Sequence, residues 1–166
     1  MNRIMPIRKF YGESSNHKIH FLYTTKPTRS PKAGERALGQ FILPPFQRAS
    51  VWTEEQKRSL IESIYLGLPI GSIVWNRTML NEETDEWLLD GQQRVTAILD
   101  YMDNKISVNG WFHKDLPHNE KVHFERMNIP VIMTEIKSVE ECMDIYRRLA
   151  YGGTNHTPED FPGLEM

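Results

Sequence analysis

Cysteine is nearly missing from this chain: Cys142 is the only one in 166 residues. One thiol forms neither an internal disulfide nor a thiolate metal cluster. With no cationic motif around it, it reads as a small buried apolar residue, not a nucleophile. Long apolar runs are also absent. None approaches the roughly 18–20 residues of a membrane span, and the opening MNRIMPIRKFYG lacks the apolar block of a secretory signal. The expectation is a soluble, cytoplasmic protein with no membrane partner. There is no internal repeat, no Walker lysine motif and no three-glycine dinucleotide fingerprint, so neither a solenoid nor the two commonest nucleotide loops is on offer.

What is present fits one domain, since 39% hydrophobic and 25% charged residues suit a single core. The net charge of −2 conceals an asymmetry. Residues 1–36 hold eight Lys/Arg against two Asp/Glu, and the remainder twelve against twenty. This basic segment, with its Ser, Thr, Pro and Gly around TTKPTRSPKAGER, reads as a partly flexible arm. Through Arg3, Arg8, Lys9, Lys26, Arg29, Lys32 and Arg36 such an arm would lie along DNA phosphates or on an acidic protein surface, with salt-sensitive attraction. A solvated leader is the alternative. The domain itself is expected over 37–160, with a tail at 161–166.

Strand-like and helix-like segments alternate along the chain. His17–Thr25 and Gly39–Leu43 read as short strands, the second ending at Pro44–Pro45, which cannot continue a central ladder. After the loop FQRASVW, Thr53 opens a helix with Gln56 three places on, a capping box, and Leu60, Ile61 and Ile64 form its buried stripe. Gly67 and Pro69 stop it. IGSIVW and EWLLD follow as a hairpin-like pair. Val95, Ile98, Leu99 and Met102 then mark a helix for which Asp90 is the expected N-cap, with Gln93 completing its box. Residues 106–126 are poorly patterned. A strand IPVIMTEI, a helix from Ser138 boxed by Glu141 and ending near Gly152–Gly153, and a cap-and-proline start at Thr157 complete the pattern.

The run LLDGQQRVTAILDYM concentrates the chemistry. A strand entering a helix through glycine offers free backbone N–H groups and the positive end of the helix dipole, both suited to phosphate. Gly91 permits close approach. Arg94, a cation in the first turn, is unfavourable there unless an anion lies near. Gln92 and Gln93 can hold an oxygen, a base edge or an attacking water, and Asp90 can serve a bound cation or accept a proton. An ordinary capped helix with Arg94 paired to a carboxylate explains the same residues, and on the motif alone both readings stand. HNEKVH packs His118, Asn119 and His123 into one short segment instead of the spread ββα arrangement of an HNH nuclease, so metal binding by His113, His118 or His123 is not expected. His17 and His20 read as surface or strand residues.

ILPPFQRASVWT, GLPIGSIVW, LLDGQQRVTAIL and YRRLAYGGTNHTPED, in that order and spacing, resemble the DGQQR-motif family known as DUF262. It stands at the N-terminus of GmrSD-type modification-dependent restriction enzymes and of related phosphorothioate-sensing defence proteins. The resemblance spans about residues 40–160. It implies an α+β single domain similar to ParB and sulfiredoxin, a small mixed sheet with packed helices. It also implies binding and slow hydrolysis of a nucleoside triphosphate, ATP or GTP with Mg2+, that regulates DNA cleavage performed elsewhere.

By motif, Asp90, Gly91, Gln92, Gln93 and Arg94 form the nucleotide site, joined by Gln47 and Arg48, with Gly71 and Ser72 as lining. Arg48 leaves a strand through prolines beside an apolar Phe46, so its guanidinium can point at a phosphate, or instead pair with the neighbouring helix. Catalytic roles fall to Asp90, Gln93, Arg94 and Arg48, with Asp90 also serving the metal. Trp52 reads as a lid over the helix in preference to a base platform. Two departures stand out. Ala150 replaces the family's asparagine before the two glycines, and Asn155–His156 replaces an apolar residue, which weakens the case for turnover more than for binding. The larger members continue into helical and HNH regions, so the expectation here is the domain alone, suited to a phage or mobile element in DNA metabolism or the contest with restriction. Host cytoplasm would then be its location, and DNA, a host defence protein or a second copy its partner. A non-catalytic module gated by nucleotide and a ParB-like nuclease are the alternatives.

Overall fold

The computed structural model describes residues 4–79 and 83–151. They form a single mixed α/β domain built on a four-stranded sheet. Its strands are β1 (Gly12–Lys18), β4 (Ile73–Asn76), β5 (Leu88–Asp90) and β6 (Asn128–Thr134), in the order β1-β6-β4-β5. β6 runs antiparallel to β1 and parallel to β4, and β4 runs antiparallel to β5. A separate hairpin, β2 (Arg36–Leu38) with β3 (Phe41–Leu43), joins the sheet's end through a bridge from Ile42 to Trp87. The expected pairing of IGSIVW with EWLLD is present, with a bulge at Val74 and Trp75.

Alternation along the strands decides which helix goes where. Ile73, Trp75 and Leu88 face one cluster with Ile129 and Val131. That cluster is closed by α1 (Ile19–Thr24), α2 (Glu54–Tyr65), α3 (Gln92–Met102) and α4 (His118–Glu125). Val74 and Leu89 face the other side, where α5 (Val139–Tyr151) lays down Cys142 beside Ile42, Trp87 and Ile136. Sheet residues at odd and even positions therefore bury into different layers. Each fully buried Ile or Leu contributes on the order of 1.5–3 kcal/mol. Burial pushes the Cys142 thiol up to about 12, so the residue behaves as the core filler its sequence context implied.

Local rules account for α2. Thr53 accepts from the Gln56 N–H at 3.2 Å and the Gln56 side chain accepts from the Thr53 N–H at 2.9 Å, the expected capping box. Gly67, at φ +71°, turns the chain beyond its end. Lys57 then ties α2 to α3 through Asp100 at 2.7 Å. The helix from Ser138 is also present, with the Glu141 N–H donating to Ser138 Oγ at 3.3 Å.

Three expectations change. His17–Thr25 is not a strand: β1 stops at Lys18, and Ile19 and Leu22, both fully buried, form a helical stripe at i,i+3. The basic segment is accordingly not an arm throughout, because β1 and α1 lie in the sheet and core and Gly12–Lys18 pairs along its whole length with β6. Residues 106–126 carry structure that their weak pattern hid, namely α4 and a 3-10 turn at His113–Asp115. Arg3, the two glycines after Tyr151, Asn155–His156, the Thr157 cap and the 161–166 tail lie outside the described residues.

Candidate functional site: a cleft at the start of α3

β5 delivers Asp90 to the sheet's end and α3 begins two residues later. The expected Asp90 cap is corrected: Gly91 is the N-cap, at φ +106° and ψ 8°, and no side chain caps the helix. Asp90 cannot cap because it still belongs to β5 and its Oδ2 accepts from Arg94 Nη2 at 2.8 Å. Only glycine adopts this left-handed turn cheaply. The first-turn N–H groups of α3 have no partner within the helix, and the dipole's positive end faces the same place.

That place is a cleft of about 420 Å³. Its walls include Asp90, Gly91, Gln92, Gln93 and Arg94 from the turn, Gln47, Arg48 and Trp52 from the loop before α2, and Tyr146, Leu149 and Ala150 from α5. Three segments, separated by about 40 and about 50 residues in sequence, thus meet at one helix start. Such a volume lies within the roughly 300–1,000 Å³ of small-molecule sites. Gln47 is 7% exposed, and its Oε1 is buried without a hydrogen-bond partner. A buried amide oxygen in that condition costs stability unless a ligand donor or water meets it.

Arg94 and Gln93 are already engaged. Arg94 donates to the Ile70 carbonyl at 2.8 Å, to the Ser72 carbonyl at 3.0 Å and to Asp90 at 2.8 Å. Three hydrogen bonds leave part of its five-donor fork for something else. Gly71 and Ser72, expected as lining, are not on the cleft wall; Ile70 is, and the Ser72 carbonyl instead accepts from Arg94 behind it. Gly71, at φ +80°, lies so close to the guanidinium that a Cβ would collide with Nη1. Gln93 Oε1 accepts from Ser50 Oγ at 2.8 Å and from the N–H groups of Val51 and Trp52 at 3.1 and 3.2 Å.

The cations expected to meet DNA divide. Arg29 is held by Glu35 at 2.7 Å and by the Asp85 carbonyl at 2.8 Å. Arg36 donates to the Gln47 carbonyl at 2.9 Å and so braces the FQR loop. Arg8 lies over the Tyr11 ring at 4.7 Å. Lys9, Lys26 and Lys32 are exposed. Arg8 and Lys9 border a larger, mixed-charge cleft of about 960 Å³ at the start of α5, together with Arg77, Lys137, Glu13 and Glu141.

Mg2+ is commonly held by one or two carboxylates plus substrate phosphates, and Asp90 on the cleft wall fits that use. His113 is buried beside Glu125 at 3.6 Å, whereas His118 and His123 are exposed on α4. Among the described residues no three His, Cys, Asp or Glu side chains gather as a metal cluster. Burial lowers the His113 pKa, opposed by Glu125. Sequence reasoning did not single out Tyr146 and Leu149. Cys142 and Tyr146, buried at i and i+4, mark the inner side of α5, and the exposed Leu149 three residues on from Tyr146 continues that line to the cleft wall, a spacing that could have placed both.

Among the described residues no helix is long and apolar enough to cross a membrane. No curated protein and no solved structure matches the chain. The family model described as GmrSD restriction endonuclease, N-terminal domain, matches residues 32–140, a span that contains both the FQR loop and the DGQQR turn. Since that match takes in well over half of the sequence, the chain belongs to the GmrSD N-terminal domain family.

Proposed function

We propose that this domain binds a nucleoside triphosphate, ATP or GTP, with Mg2+ in the cleft at the start of α3 and hydrolyses it slowly, as a regulatory unit of restriction-type DNA metabolism. The observation that carries the reading is the convergence of Gln47 and Arg48 with Asp90–Arg94 on one cleft at an uncapped helix start. Family membership supports it, and the likeness to ParB and sulfiredoxin belongs to the same proposal.

In this reading the N–H groups of the first turn and Arg48 take the phosphates, as a helix start and a guanidinium do elsewhere. Asp90 holds the cation or the attacking water, and Gln92 donates to a phosphate oxygen. Mg2+ would neutralise charge on the phosphates. Arg94 keeps the Ile70–Ser72 segment in place and sets the Asp90 carboxylate.

The test is calorimetric titration of the full chain with ATP and GTP in the presence of Mg2+, alongside phosphate release. Binding by the wild type, weakened about tenfold or more in Asp90→Ala or Arg48→Ala, is the expected result. A wild type that binds no triphosphate sinks the reading.

Binding without turnover is a second reading, and two observations favour it. Gln93 is already engaged by three donors. Ala150 lies on the cleft wall with no polar group, where the family pattern has an amide. The domain would then act as a nucleotide-gated module toward DNA or a defence protein. The nuclease reading gains nothing from the described residues.

A further inference from the structure

The loop between β3 and α2 brings Gln47, Arg48 and Trp52 to the cleft, yet it contains no regular structure from Pro44 to Thr53. Something must hold it. At its upstream end the Gln47 N–H donates to the Pro44 carbonyl at 3.1 Å, and Arg36 grips the Gln47 carbonyl. At its downstream end the Thr53–Gln56 box fixes the start of α2. Between them, the donors of three consecutive residues, Ser50 Oγ, Val51 N–H and Trp52 N–H, all converge on Gln93 Oε1.

An amide oxygen has two lone pairs, so three donors saturate it and leave it nothing for a ligand or a water. The choice of atom is informative, because the grip uses only the acceptor half of the amide. Gln93 is the second residue of a helix whose register is fixed by the buried Val95 and Ile98, so the clamp references the loop to the same first turn that carries the uncapped N–H groups. A loop displaced by even one ångström would move Gln47, whose buried Oε1 waits without a partner.

We infer that Gln93 is a positioning residue: its side-chain carbonyl clamps the Ser50–Trp52 loop to α3 and so sets the cleft contacts of Gln47 and Arg48, and that oxygen is closed to nucleotide and attacking water. The functional consequence rests on the nucleotide reading above. The clamp itself does not, and the experiment separates the two.

Amide hydrogen exchange on the ligand-free full chain reads the clamp directly. The Val51 and Trp52 amides exchange slowly in the wild type and in Gln93→Glu, whose carboxylate accepts the same donors. In Gln93→Met, similar in length and without the acceptor, they exchange about tenfold faster. Titration with ATP–Mg2+ and GTP–Mg2+ reads the consequence. Gln93→Met weakens binding about tenfold, and Ser50→Ala, which cuts the clamp from a residue off the cleft wall, weakens it about threefold.

Unchanged Val51 and Trp52 exchange in Gln93→Met overturns the inference. So does weakened binding in Gln93→Met with exchange intact and Ser50→Ala silent, since Gln93 would then contact the ligand itself. Should Gln93→Met fail to fold, Ser50→Ala carries both readouts. A wild type that binds no triphosphate removes the nucleotide reading and leaves the exchange result to decide the clamp.

Discussion

Two arginine–carboxylate pairs, Arg29 with Glu35 and Arg94 with Asp90, share a chemistry and differ in what they leave over. Glu35 is closed on every side: Arg29 donates at 2.7 and 2.9 Å, the Lys32 N–H at 2.7 Å and the Trp87 indole at 2.6 Å. Its side chain is 2% exposed. Asp90 gives Arg94 one oxygen at 2.8 Å and keeps 36% of its side chain exposed, beside a helix start that no side chain caps. The first pair spends its charge on joining residues 28–36 to the Asp85–Trp87 turn. The second anchors a wall and keeps polar capacity facing a cleft. An ion pair is therefore no guide to function by itself; saturation is what separates a brace from a site.

The largest effect should come from opening the saturated pair. Glu35→Ala leaves Arg29 and the Trp87 indole without their partner inside the fold, and breaking a buried pair this way costs about 3–5 kcal/mol. Urea unfolding should register that loss while triphosphate affinity of the folded fraction stays as in the wild type. A loss below about 1 kcal/mol would erase the distinction between the pairs.

Acid sharpens the same contrast. Burial pushes the Glu35 carboxyl upward, but the hydrogen bonds from Arg29, the Lys32 N–H and Trp87 outweigh it and hold it at about 2, below the ordinary 4.5. The unfolded chain then binds this proton more readily than the folded one. The contribution is complete above about pH 5 and drains as the pH falls through 4.5 toward 2, by about 1–3 kcal/mol. Glu35→Gln should flatten that segment of a stability–pH curve, and an unchanged slope in the variant would assign the acid loss elsewhere.

Gly91→Ala comes next, and it tests the open pair. A Cβ at φ +106° is strained and would lie 3.0 Å from Ile73 Cγ1. The cost is about 1–2 kcal/mol, and triphosphate binding falls as well, unlike in Glu35→Ala, because the first-turn N–H groups shift. Thermal unfolding and titration of the same preparation measure both. Binding retained at full strength would mean that the helix start is not where the phosphates sit.

How much of this was legible depended on how far each partner lay along the chain. The Thr53–Gln56 box and the β4–β5 pair are written within a few neighbours or in a simple alternation, and both are present. Ile19 and Leu22 were open to either period, and packing against α3 and α4 chose the helix. Gly91 displaced Asp90 as cap because strand pairing with Val74 held Asp90 back, a competition invisible in the motif. Arg29 and Arg36 looked like free cations because a charge count shows neither the pairing of Arg29 with Glu35, six positions on, nor the backbone acceptors that the fold brings to both. The Asp85 carbonyl is 56 positions from Arg29 and the Gln47 carbonyl eleven from Arg36. Charge counting sees the cation and not the acceptor that the fold brings to it.

That leaves the cations outside either pair, where the smallest effect is expected. Lys9 and Lys26 are exposed, and surface substitutions of this kind change stability by no more than about 0.5 kcal/mol. If the basic segment meets nucleic acid at all, these lysines and not Arg29 carry it, because Arg29 already has its carboxylate. Each would then contribute about one unit to the slope of log affinity against log salt. Comparing Lys9→Ala and Lys26→Ala with the wild type in DNA retention over a salt series should lower the slope by about that amount without moving the unfolding midpoint. A slope that falls only when Arg29 is replaced, in step with lost stability, would show that the retention came from the folded brace and not from an exposed basic surface.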